Sequence, residues 1–260
     1  MTDTMDIPPV DPARPATSWR DYHQVTRTAT YSFLMALPLL LLYEGFILLV
    51  NRGQVMQVRI SAEVWMKRVL PTLGATGLHV LAVVVVLLGI GVYLYERKKN
   101  IPLRTRYFGW MIGESAVYAV VLAFLVSPVV GMIFAVAPAT LAAVQMAQQS
   151  VWTQLALSIG AGLYEELLFR VLLVGGLYLL LKKVLSQNTA AYVIAAVVGA
   201  LLFSTVHYIG ALGDAFTLSS FMFRFLFGLA LNVVFLVRGF GVAAWTHALY
   251  DVMIVTGLLG

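Results

Sequence analysis

The chain contains no cysteine. Disulfides, thiolate nucleophiles and Cys-based metal sites are thereby excluded, and the redox compartment is left open. Charge is scarce as well: 11% of the 260 residues are Asp, Glu, Lys or Arg, against about 25% in soluble domains. No soluble-looking block interrupts the hydrophobic runs between Tyr31 and Gly260, so nothing marks a second, water-soluble domain. No basic-aromatic motif accompanies the net charge of +5, and a nucleic-acid partner is not expected. The first thirty residues lack the basic start and adjoining apolar stretch of a secretory signal peptide. Neither a repeat nor a low-complexity segment stands out.

What fills the chain instead is apolar: 61% of residues, with a mean hydropathy of +0.90. This composition predicts an all-α, polytopic transmembrane helix bundle. Stretches of about 20 apolar residues, enough to cross a bilayer, fall at 31–50, 77–95, 109–134, 151–181, 190–208, 220–237 and 240–258. Seven spans are expected, with room for an eighth where Pro128, Pro138 and the Gln-rich 145–149 could break a span or create an interfacial helix. Residues 1–30, bearing Pro8, Pro9, Pro12 and Pro15, read as a polar tail, and 31–260 as one membrane domain.

Lys and Arg collect in cytoplasmic loops. On a seven-span count one side holds Arg14, Arg20, Arg27, Arg97, Lys98, Lys99, Arg104, Arg106, Lys182, Lys183 and Arg238, and the other Arg52, Arg59, Lys67 and Arg68. The N-terminus is therefore expected in the cytoplasm, in an integral protein of a bacterial cytoplasmic membrane.

Within 151–181 lies Gly162-Leu163-Tyr164-Glu165-Glu166-Leu167-Leu168-Phe169-Arg170. A charged side chain at mid-bilayer costs roughly 2.5–3.5 kcal/mol, so this trio needs partners, a wet cavity or a function. Glu166 and Arg170, at i and i+4, share an α-helical face and can pair, whereas Glu165 is rotated about 100° away. The spacing thus assigns Glu166 to structure and leaves Glu165 for proton transfer; the plainer account is a packing salt bridge plus a spare carboxylate.

Two further spans carry polar groups. One ends Phe203-Ser204-Thr205-Val206-His207, where a lone histidine could equally be an interfacial residue. The last places His247 and Asp251 at i and i+4, which in a bundle calls for a shared polar pocket with Glu165 and His207. Glu, His, His and Asp on three helices suit either a zinc or iron site or metal-free water activation, in which a carboxylate and an imidazole deprotonate water and a second imidazole steadies the oxyanion. Spacing does not choose between them, although no His-Glu-x-x-His is present.

Glu165-Glu166-x-x-x-Arg170, Phe203-x-x-x-His207 and His247-x-x-x-Asp251, in this order on successive apolar spans, resemble the three motifs of the CPBP (Abi) family. That family includes Rce1-type CAAX endoproteases and bacteriocin-processing or immunity proteins. The resemblance covers 161–251. It implies a glutamate-dependent intramembrane endopeptidase acting on a membrane-associated peptide or protein, with no cofactor, although zinc stays open. Glu165 and His207 would activate water, His247 and Asp251 would form the oxyanion site, and Glu166, Arg170 and Phe203 would support them. Rce1-type proteases carry Asn where Asp251 stands, so Asp251 is expected either to be protonated or to orient His247.

Glu44, Glu114 and Arg224 are intramembrane charges outside these motifs. Mutual pairing is the simple expectation; the alternative makes Arg224 a group that binds a substrate carboxylate. Competing functions are a non-catalytic scaffold or immunity protein, disfavoured by the intact Glu165, His207 and His247, and an ion-coupled transporter, disfavoured by the lack of paired broken helices. The helix lengths put His207 near the face opposite the eleven positive charges. CAAX-processing enzymes meet cytosolic substrates, so either the task differs here or the span count is off by one.

Overall fold

In a computed structural model, residues 19–51, 78–134, 149–209 and 213–259 are described, with only the helix itself described at 78–82. The expectations for the tail before Trp19, for Arg52 to Arg68, and for a break or extra helix around Pro138 and Gln145 lie outside these residues.

Every described element is helical, and the fold is an all-α membrane bundle. The order is α1 (Trp19–Thr26), α2 (Ala29–Val50), α3 (Leu78–Glu96) with a 3-10 turn (Arg97–Lys99), and α4 (Thr105–Phe134). A composite helix follows, made of α5 (Val151–Gly160), π-helical stretches Ala161–Glu165 and Leu167–Val174, and α6 (Gly175–Leu181). The chain ends in α7 (Asn188–Val206), α8 (Leu218–Arg238) and α9 (Phe240–Val255). Each of the seven apolar stretches thus carries helix over its described residues, although two of these helices end at Val206 and Val255, short of the expected 208 and 258. Four helices, α2, α4, α7 and α8, are individually long and apolar enough to cross a membrane. Pro38 in α2 and Pro128 in α4 do not end their helices, as is common in spans whose neighbours satisfy freed backbone groups. The starts of α2, α5 and α8 are capped by Thr28, Ser150 and Thr217, each accepting from the backbone N–H three residues on.

Helix α9 is the axis of the bundle, packing against α2, α4, α5, α8 and both π stretches. Half of its buried residues are small, Gly241, Ala243, Ala244 and Ala248, which let neighbouring backbones approach closely. Gly162 makes the tightest approach to it: a Cβ there would sit 2.5 Å from the Ala244 carbonyl oxygen and 2.6 Å from Ala248 Cβ. The outward faces are apolar, with Leu41, Leu49, Leu87, Phe124 and Leu180 all exposed, as lipid contact requires.

The turn from α8 to α9 passes through Gly239 at φ 83°, a left-handed conformation open to glycine. Just before it, Arg238 is fully buried rather than a solvated loop charge. Its Nε lies 2.6 Å from Glu114 Oε1 and one terminal nitrogen 2.8 Å from Glu114 Oε2, and the guanidinium also donates to the His23 carbonyl and Thr26 Oγ1. Tyr22 and Tyr118 donate to the same carboxylate at 2.6 and 2.7 Å. The polar tail read from the sequence therefore contains a docked helix: α1 buries Tyr22 and Val25, because Glu114 and Arg238 need partners inside the bundle. Glu96 accepts from Thr30 N–H and Oγ1 and pairs with Lys99, so the ends of α3 and α8 and the starts of α2, α4 and α9 gather at one basic end.

Candidate active site

The site lies toward the opposite end. Helices α7 and α8 run antiparallel, joined by Tyr192 Oη to the Asn232 carbonyl and by Ser204 Oγ to the Phe221 carbonyl, both at 2.7 Å. Arg238 therefore marks the basic end, and His207, which follows α7 directly, the other.

The composite helix delivers the carboxylates. Its π-helical turns, a rare form often found at functional sites, change the angular spacing of side chains through Glu165 and Glu166. Glu166 is wholly buried, with Oε2 3.0 Å from Arg170 Nε in an ion-pair contact that lacks hydrogen-bond alignment. Arg170, itself buried, donates weakly to the Gly228 carbonyl at 3.4 Å and lies 4.5 Å over the Phe203 ring. The other oxygen of Glu166 is 2.7 Å from His247 Nδ1. The α-helical phase had suggested that the glutamates part company, with Glu165 alone facing the histidines; instead Glu166 joins Arg170 to His247.

His247 completes a line of four. Its Nε2 is 3.6 Å from Asp251 Oδ2, close enough for electrostatic attraction but too long for a hydrogen bond. Phe203 and Phe227 meet the imidazole edge-on at 6.1 and 5.2 Å between ring centroids. His207 is fixed differently: Nδ1 is 2.7 Å from the Phe203 carbonyl oxygen. A carbonyl only accepts, so Nδ1 carries the proton and Nε2, in the neutral ring, keeps its lone pair. That nitrogen faces Glu165 Oε2 at 3.9 Å, beyond a direct hydrogen bond. Phe203 also touches the His207 ring edge-on at 4.9 Å, so this residue packs on both histidines and on Arg170.

Exposure separates the groups. The side chains of Glu165, His207 and Asp251 are 13%, 25% and 27% exposed, whereas Glu166, Arg170 and His247 are at 0%, 1% and 4%. The first three border an accessible space and the second three form the wall behind it.

Residues 147–253 match the model of a protein family described as type II CAAX prenyl endopeptidase Rce1-like. Over these residues the chain is similar to that family. The match takes in all three motifs of the site and leaves α1 to α4 outside it. The matched stretch is less than half of the chain, and over it the chain is similar to a family of CAAX prenyl endopeptidases. No curated protein and no solved structure matches the chain.

Arg224 corrects the expectation of an unpaired cation seeking Glu44 or Glu114. Glu114 is taken by Arg238, and Arg224 forms an ion pair with Asp214 and donates to Ser220 Oγ and, at 2.8 Å, to Tyr208 Oη. Sequence periodicity missed Asp214 because it lies in a non-helical connection. The available signal was that it is the sole acidic residue between Glu166 and Asp251. Among the described residues no three of His, Asp and Glu converge as a metal-ion site.

Proposed function

We propose that this Rce1-like protein is an intramembrane endopeptidase that hydrolyses peptide bonds of membrane-associated peptides or proteins with water activated by Glu165 and His207. The observation that carries the reading is the 3.9 Å gap between Glu165 Oε2 and His207 Nε2. Both atoms are acceptors when the carboxylate is ionised and the ring neutral, so they suit a water that donates a proton to each side in turn. One of them takes the proton as the water oxygen attacks the carbonyl carbon, and the same group returns it to the leaving amine.

Attack places negative charge on the carbonyl oxygen, and a donor must meet it. His247 is suited to this. With Glu166 accepting at Nδ1, that nitrogen bears a proton, and Asp251 near Nε2 favours a proton there as well. An imidazole flanked by two carboxylates is held as a donor. In this scheme Asp251 orients and charges His247, which accounts for an aspartate at this position.

On the positive-inside expectation the basic end and the N-terminus lie in the cytoplasm, and on that orientation the site would open toward the other face. Substrates are then peptides reached from the membrane or from beyond it. The deciding experiment uses purified protein and a peptide library. Glu165→Ala should abolish cleavage and a zinc chelator should leave it intact; unchanged cleavage in the variant sinks the mechanism, and chelator-sensitive cleavage replaces it with a metal-dependent one.

A further inference from the structure

The charges around the site do not balance at its entrance. Glu165, Glu166 and Asp251 supply three carboxylates; against them stand Arg170, His247, which the proposed mechanism holds protonated, and Arg224. Arg170 is spent on Glu166 and buried to 1% exposure. Arg224 differs: its side chain is 18% exposed, and it is linked to the His207 segment through Tyr208 and through Asp214, whose backbone N–H reaches the His207 carbonyl. Of the two arginines it is the accessible one. Its guanidinium is held by neutral oxygens, with Tyr208 Oη and Ser220 Oγ accepting from one terminal nitrogen while Asp214 takes the other. Tyr208 is also the residue next to His207, and its ring lies 5.2 Å from the guanidinium carbon.

Asp214 is the changeable member of this group. It belongs to the connection after α7 rather than to a helix, tied to the site by its backbone N–H donating to the His207 carbonyl at 2.8 Å. Its side chain is 22% exposed, so a rotamer change returns the carboxylate to water. The planar guanidinium fork matches any carboxylate equally well.

We propose that Arg224 is a carboxylate-binding subsite beside the Glu165–His207 pair, with Asp214 as its resting occupant, which a carboxylate of the substrate displaces. The inference rests on the endopeptidase reading for the identity of the ligand as a peptide. Without Arg224 an acidic substrate would meet Glu165 and Asp251 on the accessible side with no exposed arginine to offset them; with it, the site selects a peptide that carries a carboxylate near the scissile bond. The source is either the peptide's α-carboxylate or an acidic side chain.

The test uses the intact protein in lipid vesicles and two pairs of fluorogenic peptides, one pair differing in a C-terminal acid or amide, the other in an internal Glu or Gln. Binding is measured on Glu165→Gln, which reports affinity without turnover, and cleavage on the wild type, Arg224→Gln and Asp214→Asn. One acid form should bind about tenfold to a hundredfold more tightly than its neutral counterpart, the size of a charge-assisted hydrogen bond. The pair that shows the preference identifies the source. The ratio should fall to about one when Arg224→Gln is added, and Asp214→Asn should lower KM for the acid form by removing the competitor. Ratios near one in both pairs, a ratio that survives Arg224→Gln, or a raised KM in Asp214→Asn overturns the subsite. Should Arg224→Gln fail to fold, the ratio in the parent protein and the Asp214→Asn result decide alone. Binding preference without cleavage of any peptide by the wild type would retain the subsite and reject the endopeptidase reading.

Discussion

Glu166 Oε1 stands 2.7 Å from His247 Nδ1 while its other oxygen faces Arg170. One buried carboxylate therefore ties the first motif to the third, and it does so in a wall that water does not reach. Its neighbour Glu165, one residue away, belongs to the accessible side. Two adjacent glutamates in a membrane helix thus have different surroundings and, on the proposed mechanism, different tasks.

That separation predicts different failures. Removing one member of a buried pair typically costs 3–5 kcal/mol, because the partner charge is stranded. Glu166→Gln should lose about that much stability together with activity. Glu165→Gln should lose activity with little change in thermal unfolding in detergent. Equal destabilisation by the two substitutions would refute the division.

Asp251 is expected to act through His247. Asp251→Asn keeps a side-chain oxygen near Nε2 and should retain cleavage within about tenfold of the parent, the size of one net hydrogen bond. Asp251→Leu offers no acceptor and should fall well below it. Steady-state rates for both variants check this, and abolition of cleavage in Asp251→Asn would show that the carboxylate itself is needed.

Gly162 sets the spacing between the composite helix and α9. A methyl group there meets the Ala244 carbonyl and the Ala248 backbone nitrogen at 2.5 and 2.6 Å, neither of which can swing aside. Gly162→Ala should push the helices apart, costing about 1–3 kcal/mol as overpacking does, and should loosen the Glu166–His247 contact. Reduced activity with a lowered melting temperature is the expected pair of results; Gly176→Ala, where a Cβ has nothing within 4 Å, is the control.

At the basic end, Arg238→Leu should destabilise strongly by leaving Glu114 buried with Tyr22 and Tyr118 alone. The double variant Arg238→Leu/Glu114→Leu should recover much of the loss, since replacing a buried pair by apolar residues is often close to neutral. Thermal unfolding of the single and double variants measures the coupling, and additive losses would show that the two charges do not depend on one another.

The bundle was legible because span length and apolar composition are set by the bilayer, and each apolar stretch became a helix. The motif residues were legible because ionisable groups inside such stretches are conspicuous. What escaped has specific causes. The link from Glu166 to His247 was hidden by the assumption of α-helical phase through a π-helical segment. Tyr22 looked like part of a polar tail because its partners, Glu114 and Arg238, come from helices distant in sequence. Arg238 itself was counted as a loop charge because it ends an apolar run, and Asp214 had no periodicity to place it.

The π-helical stretch also sets a condition on length. A π turn is equivalent to an α-helix that has absorbed one additional residue, so excising a single residue within Ala161–Glu165 or within Leu167–Val174 would let that stretch relax toward α geometry. Every side chain after the deletion would then swing to a new bearing, and a chain with all its motif letters intact would no longer align Glu166 with both Arg170 and His247. In this segment the number of residues is as much a part of the site as their identity.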